Sequence, residues 1–321
     1  MKSFVFACVL VVAVSASLLE EHGAKFQSFK LAHGKTYMNQ AEETKRFAIF
    51  RNNLRSIEQH NALYEQGLKS WKQRVTKFAD MTQEEFLDML ATHAKPSING
   101  TKYVESRVAL PDSVDWRTEG QVTGVKDQGS CGSCWAFSIT GSTEAAYYRK
   151  SGNLVSLSEQ QLVDCATMNA GCDGGYLEQT FPYIQQNGLE SESDYPYTGR
   201  DGTCQYKSSK VVTKVSSYKV LASGNENQLL NAVGTVGPVS IAMDASYLSF
   251  YDSGIYDDEY CSSSYLNHGV LVVGYGSENG VDYWIVKNSW GTSWGESGFF
   301  KLLRGKDMCG VSQDTVYPII N

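Results

Sequence analysis

The stretch Gln128-Gly129-Ser130-Cys131-Gly132-Ser133-Cys134-Trp135-Ala136-Phe137-Ser138 is a glycine-rich turn that runs directly into an apolar, proline-free segment ending near Lys150-Ser151-Gly152. That pattern sets the Cys134 thiol at a helix N-terminus, where the helix dipole favours the thiolate, the nucleophilic form. A neighbouring imidazolium favours it further and in the strongest cases lowers a thiol from ~8.5 to ~3–4. One histidine is available for that role. His268, in Leu266-Asn267-His268-Gly269-Val270, follows Cys134 by 134 positions and is the only histidine after residue 93. A thiolate and an imidazole brought together suit attack on a carbonyl followed by protonation of the leaving group. Cys131 and Cys134 can also be read as a redox dithiol or as half a zinc site. Zinc requires a second pair of ligands at matching spacing, which the sequence does not offer, so no metal is expected.

Eight cysteines are present, and Cys8 lies in the apolar run from Phe4 to Val14, behind Lys2 and ahead of Ser15, Ala16 and Ser17. The run is too short to span a bilayer and reads as a signal peptide over residues 1–16. The exported chain then keeps seven cysteines: Cys131, Cys134, Cys165, Cys172, Cys204, Cys261 and Cys309. An odd number in a secretory chain suggests three disulfides and one thiol. A Cys131 to Cys134 bond would still leave an odd cysteine with no chemistry assigned to it, and any six cysteines allow 15 pairings.

The elements that must position Cys134 and His268 divide the chain in two. Glu42 to Asn61 carries Phe47, Phe50, Leu54 and Ile57 at helical spacing, and Phe26 and Phe29 open an earlier helical stretch. Residues 91 to 109 are turn-rich, contain the sequon Asn99-Gly100-Thr101 and read as an exposed linker, with Asn99 a glycosylation candidate. Beyond Pro111 the chain turns to Cys, Gly, Trp and Tyr, and the runs Val270 to Val273 and Tyr283 to Val286 read as strands. Charge follows the same division: residues 1–109 carry a net +4 and residues 110–321 a net −11, giving −7 overall. A basic segment is attracted to an acidic domain at neutral pH, and less so once carboxylates protonate. The composition, with 42% hydrophobic and 20% charged residues, 29 Gly and 6 Pro, excludes collagen, coiled coil and wholesale disorder.

These residues resemble a papain-family cysteine protease precursor of the cathepsin L-like branch. Residues 131 to 135 match the nucleophile motif, and Tyr283-Trp284-Ile285-Val286-Lys287-Asn288-Ser289-Trp290-Gly291 is similar to the third catalytic segment. Glu42, Arg46, Phe50, Asn53, Ile57 and Asn61 fit the spaced pattern of the inhibitory propeptide. Phe78 and Asp80 fit its second motif, in which Arg74 and Thr76 replace the usual Gly and Asn. The resemblance implies an α+β fold: a helical propeptide over residues 17–109 and a two-lobed domain over 110–321, one lobe helical and one an antiparallel β-barrel-like lobe, with the cleft between them.

It also implies roles. Cys134 is the nucleophile and His268 its acid and base; Asn288 accepts the second imidazole N–H, and Trp290 shields that bond. The Gln128 amide and the Cys134 backbone N–H form the oxyanion hole. Cys131–Cys172, Cys165–Cys204 and Cys261–Cys309 are the implied disulfides. Gly132, Gly174, Gly175, Asn267, Gly269 and Trp290 join the substrate-binding residues. The pocket for the side chain second from the scissile bond takes Tyr176, Leu177, Ala242, Leu266, Gly269 and Asp314. The acidic residue at 314 departs from the small neutral one usual in this branch and suits Arg as well as Leu or Phe. With no histidine-bearing insertion after residue 93 and no cysteine between Ala16 and Cys131 to tether a propeptide fragment, an endopeptidase is expected. The expected partners are polypeptide substrates and the chain's own propeptide, with no cofactor, nucleic acid or membrane, and the protein is expected to be a monomer. Its expected destination is the secretory pathway, then the lysosome or an extracellular or digestive lumen. A catalytically silent peptide-binding homologue is the alternative, although such chains usually lose a catalytic residue and all four are present here.

Overall fold

The computed structural model describes residues 20–90 and 100–321, so the signal-peptide reading of residues 1–16 and the sequon residue Asn99 lie outside the described residues. Residues 20–33 form helix α1, and Gln40–Glu65 form α2, whose first turn carries Glu42 and Glu43 and is capped by the Asn39 side chain accepting from the Glu42 N–H. Phe26 and Phe29 of α1 bury against Phe50 and Leu54 of α2 and against Ala79. The polar residues spaced along α2 then hold the returning chain. Asn53 donates to the carbonyls of Ala79 and Met81, and Asn61 exchanges two hydrogen bonds with the backbone of Gln73. Strand β1 (Trp71–Gln73) and helix α3 (Gln83–Met89) follow, the latter opened by a reciprocal capping box between Thr82 and Glu85.

Arg46 binds both Glu42 and Glu85, and its hydrogen bond holds the Glu85 carboxyl below the ordinary glutamate value of 4.5. A carboxylate lowered by folding stabilises the fold above its ordinary value, and this stabilisation is lost as the pH falls through the lowered one. Glu85→Gln is therefore expected to move the acid unfolding of the propeptide upward by about half a pH unit. Pepsin sensitivity of residues 20–90 against pH, in an inactive Cys134→Ala background, measures the shift. An unchanged midpoint would remove Glu85 from the trigger.

The remainder comprises β2 (Thr101–Lys102), β3 (Val114–Asp115), α4 (Cys134–Ser151), α5 (Glu159–Cys165), α6 (Leu177–Asn187), β4 (Leu189–Glu190), β5 (Val211–Thr213), β6 (Ser217–Val220) and α7 (Glu226–Thr235). After these come β7 (Val239–Met243), β8 (Tyr251–Tyr256), β9 (His268–Glu278), β10 (Val281–Lys287), β11 (Phe299–Leu303) and β12 (Asp314–Ile319). The main sheet runs β1-β8-β11-β10-β9-β7-β12-β6-β2, with β3 also on β9. Asn279 and Gly280, both at positive φ, make the two-residue turn between β9 and β10 that a tight hairpin requires.

Two apolar cores flank this arrangement. One gathers sheet residues around Trp284, Trp290, Trp294 and Phe300; the other gathers Trp135, Ile139, Leu162, Phe181 and Ile184 from the helices. Helix α4 lies between them, packed on α5 and α6 and also on β7, β9 and β12. Its Gly141 faces Leu271 closely there, and a Cβ would come within 2.8 Å of the Leu271 side chain. Disulfides join Cys131 to Cys172 and Cys165 to Cys204 in the helical part and Cys261 to Cys309 in the sheet part.

The propeptide meets this body by strand addition. β1 pairs antiparallel with β8, and Trp71 packs on Tyr251 and Tyr256. Arg74 pairs with Asp252 at 2.7 Å and donates to the Ser293 carbonyl, while the buried Thr76 hydroxyl donates to the Ser249 carbonyl at 2.9 Å. The two departures from the motif seen in the sequence are thus both contacts to the body formed by residues 110–321. The exposed linker expected over residues 91–109 is corrected for part of its length. Thr101 and Lys102 extend the edge strand β6, and Tyr103 is buried, edge-on to Tyr317, with its hydroxyl donating to Asn231. An edge strand offers unpaired backbone groups, and the Tyr103 ring adds apolar area with a polar tip.

Candidate active site

Cys134 is the first residue of α4, and the Cys131–Cys172 bond ties down the turn before it. Gly132 lies buried in that turn and donates its N–H to the Cys172 carbonyl at 2.8 Å. The start of β9 presses directly on the start of α4: a Cβ at Gly269 would lie 3.1 Å from both the Cys134 carbonyl oxygen and the Trp135 nitrogen. A side chain there would press on the backbone of Cys134 and Trp135. The close approach lets the Gly269 N–H hydrogen-bond to the Cys134 thiol.

His268, immediately before Gly269, is wholly buried, and its Nε2 lies 2.7 Å from Asn288 Oδ1. That oxygen also accepts the Ser289 N–H at 2.8 Å, so it is an acceptor for both and Nε2 carries the hydrogen. Among the described residues Nδ1 has no hydrogen-bond partner and, in the neutral ring, is the acceptor. Trp290 stacks on the imidazole at 4.7 Å and is itself backed by Trp294. This indole wall excludes water from the His268–Asn288 bond. Gln128 is buried, its amide NH2 donating to the Cys131 carbonyl at 3.0 Å and its Oε1 accepting from the Ser289 hydroxyl at 2.7 Å. Ser289 was not singled out from the sequence; its place between Asn288 and Trp290 was the available signal.

Burial pushes the Cys134 thiol up to about 11, against the opposing pull of the Gly269 and Trp135 N–H groups. Burial likewise pushes His268 down to about 4, partly offset by Asn288. Both groups therefore favour their neutral forms, opposite to the lowered thiol expected from an open helix N-terminus. The propeptide segment packs beside the site. Phe78 and Phe86 stand edge-on to Trp290 at 5.2 and 5.6 Å, and Lys77 binds Asp127 beside Gln128.

The residues assigned to the specificity pocket form a connected set. Leu177 and Ala242 are buried in one cluster with Phe181 and Val316, and Leu266 packs against it. Asp314 on β12 is opposite Ala242 on β7, which is opposite Gly269 on β9, so a row across three strands runs from Asp314 to the thiol's neighbour. Gly174, at φ 116°, and Gly175, which abuts Trp135, form the turn leading to Tyr176. Asn267 stands apart in one respect. Its side chain is engaged inside the sheet lobe, accepting from the Ala245 N–H and donating to Asp244 and Ser246.

Comparison with known proteins gives the same account. The family described as papain family cysteine protease matches residues 110–319, and the cathepsin propeptide inhibitor domain (I29) matches residues 26–86. The chain is 44% identical to cathepsin L1 of Drosophila melanogaster, over 97% of this chain and 89% of that one. It is 46% identical to digestive cysteine proteinase 1 of Homarus americanus, over 92% and 94%. The structure of digestive procathepsin L 3 from Tenebrio molitor larval midgut superposes with a TM-score of 0.89 at 46% identity, covering 93% of this chain and 99% of that one. The recombinant stem bromelain precursor superposes at 0.86 with 35% identity, covering 94% and 99%. This chain therefore belongs to the papain family of cysteine proteases, in its cathepsin L-like group, and carries the family's inhibitory propeptide domain ahead of the protease domain.

Proposed function

We propose that the protein is a cysteine endopeptidase zymogen in which Cys134 attacks the peptide carbonyl and His268 protonates the leaving amine, then activates the deacylating water. The observation that carries this reading is the imidazole held at Nε2 by Asn288 under Trp290, leaving Nδ1 without a partner, one residue from the Gly269 N–H that touches the Cys134 sulfur. Asn288 fixes the ring, and Gln128 with the Cys134 backbone N–H stabilises the oxyanion, a donor worth about 10²–10³ in rate. Residues 1–16 are the signal, 17–109 the propeptide and 110–321 the peptidase. Polypeptide substrates lie extended along Gly174 and Gly175. Residence in the lysosome or in an extracellular or digestive lumen is supported by the signal reading and the disulfides.

The second-position pocket takes hydrophobic side chains and, through Asp314, arginine. Asp314→Ala is expected to lower the ratio of kcat/KM for Arg-Arg over Phe-Arg fluorogenic peptides about tenfold, because a cation loses its buried counter-charge. An unchanged ratio would place Asp314 outside the pocket. The function itself is tested by acid activation of the proform and assay at pH 5 under mild reduction, with and without an epoxide that alkylates active-site thiols. Epoxide-sensitive turnover supports the reading; a processed, folded domain without turnover overturns it.

A further inference from the structure

The Asp314 floor of the pocket does not stand alone. Glu178, the second residue of α6, is 3% exposed, and neither of its carboxylate oxygens accepts a regular hydrogen bond. The Asp314 carboxyl lies within hydrogen-bonding reach of it. Their meeting follows from the fold. Asp314 and Val316 share one face of β12, and Val316 packs with Leu177 and Phe181 on either side of Glu178 along α6. Two carboxylates that touch in a buried site do not both ionise; one proton is held between them.

The groups packed around the pair do not supply another answer. From α4 the cluster receives Trp135, Ala136 and Ile139, none of which titrates, and β7 (Val239–Met243) carries no titratable residue. From β6, Tyr218 stacks on Phe181 at 4.5 Å and is held protonated by burial and by Glu178, whereas Lys219 takes the opposite face of that strand. The acid partner is thus Glu178 or Asp314. Glu178 is the more buried of the two, at 3% against 9% exposed, and the charge belongs on the residue with more access to a substrate.

We propose that Glu178 is a positioning residue for specificity: it keeps a proton and donates it in a hydrogen bond to Asp314, so that the pocket floor carries one negative charge, located on Asp314, throughout the acid working range. This deepens the reading of Asp314 as a pocket residue and rests on it. Burial first, and the Asp314 charge second, push the Glu178 carboxyl well above the ordinary glutamate value, so the proton stays in place at pH 5. The consequence is an enzyme that reads arginine at the second position even at a pH where an unsupported buried carboxylate would take up a proton and lose its charge.

The test is the ratio of kcat/KM for Arg-Arg over Phe-Arg peptides, from initial rates between pH 4.5 and 8.5. It is measured on the acid-activated wild type and on the Glu178→Leu, Glu178→Gln and Asp314→Ala variants, each checked by its thermal unfolding midpoint. Glu178→Leu removes the donor, and its ratio at pH 5 is expected to fall about tenfold and recover toward the wild-type value by pH 7. Glu178→Gln keeps an N–H donor, and its ratio at pH 5 is expected to stay within about twofold of the wild type. The wild-type ratio itself is expected to rise toward the alkaline end of this range as the pair takes a second charge. Should Glu178→Leu misfold, that wild-type rise and the glutamine variant still decide the matter. A wild-type ratio flat to pH 8.5, or a leucine variant that follows the wild type at every pH while Asp314→Ala lowers the ratio, overturns the shared proton and leaves the pocket reading intact. A ratio unmoved by Asp314→Ala overturns the pocket reading and this inference with it.

Discussion

Cys134→Ala is expected to reduce peptide hydrolysis by about 10⁵–10⁶-fold, the order lost when the nucleophile of an acyl-transfer enzyme is removed. The alanine leaves the binding row from Gly269 to Asp314 and the Gln128 amide in place, so substrate still binds but nothing attacks the carbonyl. His268→Ala is expected to cost nearly as much, and the double substitution little more than either one, because nucleophile and base act as a unit. The measurement is kcat/KM on a Phe-Arg peptide with the propeptide removed by an added protease, since the variants cannot process themselves. A loss below about a hundredfold in Cys134→Ala would mean that another group carries the reaction.

The second large effect concerns the thiol before and after activation. In the proform burial pushes Cys134 up to about 11 and His268 down to about 4, so at pH 5 the pair is thiol and neutral imidazole. Removing the propeptide withdraws Phe78 and Phe86 from Trp290 and is expected to admit water to both groups, lowering the cost of charge on each. The helix N-terminus and the imidazolium then act on the sulfur unopposed. Alkylation of Cys134 at pH 5 is therefore expected to be at least about a thousandfold faster in the activated enzyme. Its rate should be nearly level between about pH 4 and 8 after activation, whereas in the proform it should climb with pH. Equal rates in the two forms would show that the propeptide blocks substrate without changing the charge state of the pair.

Local pattern made several of these elements legible. The turn ahead of Cys134, the apolar run after it and Gly152 delimit α4, which ends at Ser151 with Gly152 in the left-handed region. The apolar runs at Val270 to Val273 and Tyr283 to Val286 lie within β9 and β10, and the α2 spacing of Glu42, Arg46, Asn53 and Asn61 has a visible purpose in the bonds those residues make. What stayed hidden depends on contacts between distant segments. The sign of the Cys134 shift could not be read from a helix N-terminus, because it is set by burial, which depends on how distant segments pack. Tyr103 looked like linker until Asn231 and Tyr317 received it. Glu178 carried no motif at all, and only the packing of α6 on β12 gives it a partner. The same holds for Lys126, which binds Glu144 and Glu159 beneath α4 in a buried group that no sequence spacing announced.

The central claim is that one thiol, Cys134, carries the reaction, and stoichiometric titration tests it most directly. The activated enzyme would be treated with increasing epoxide, with residual Phe-Arg hydrolysis and the extent of modification at each cysteine followed together by peptide mass spectrometry. The account predicts that activity falls linearly to zero as one equivalent is incorporated, all of it on the peptide containing Cys134. Hydrolysis that persists once Cys134 is fully modified would contradict it.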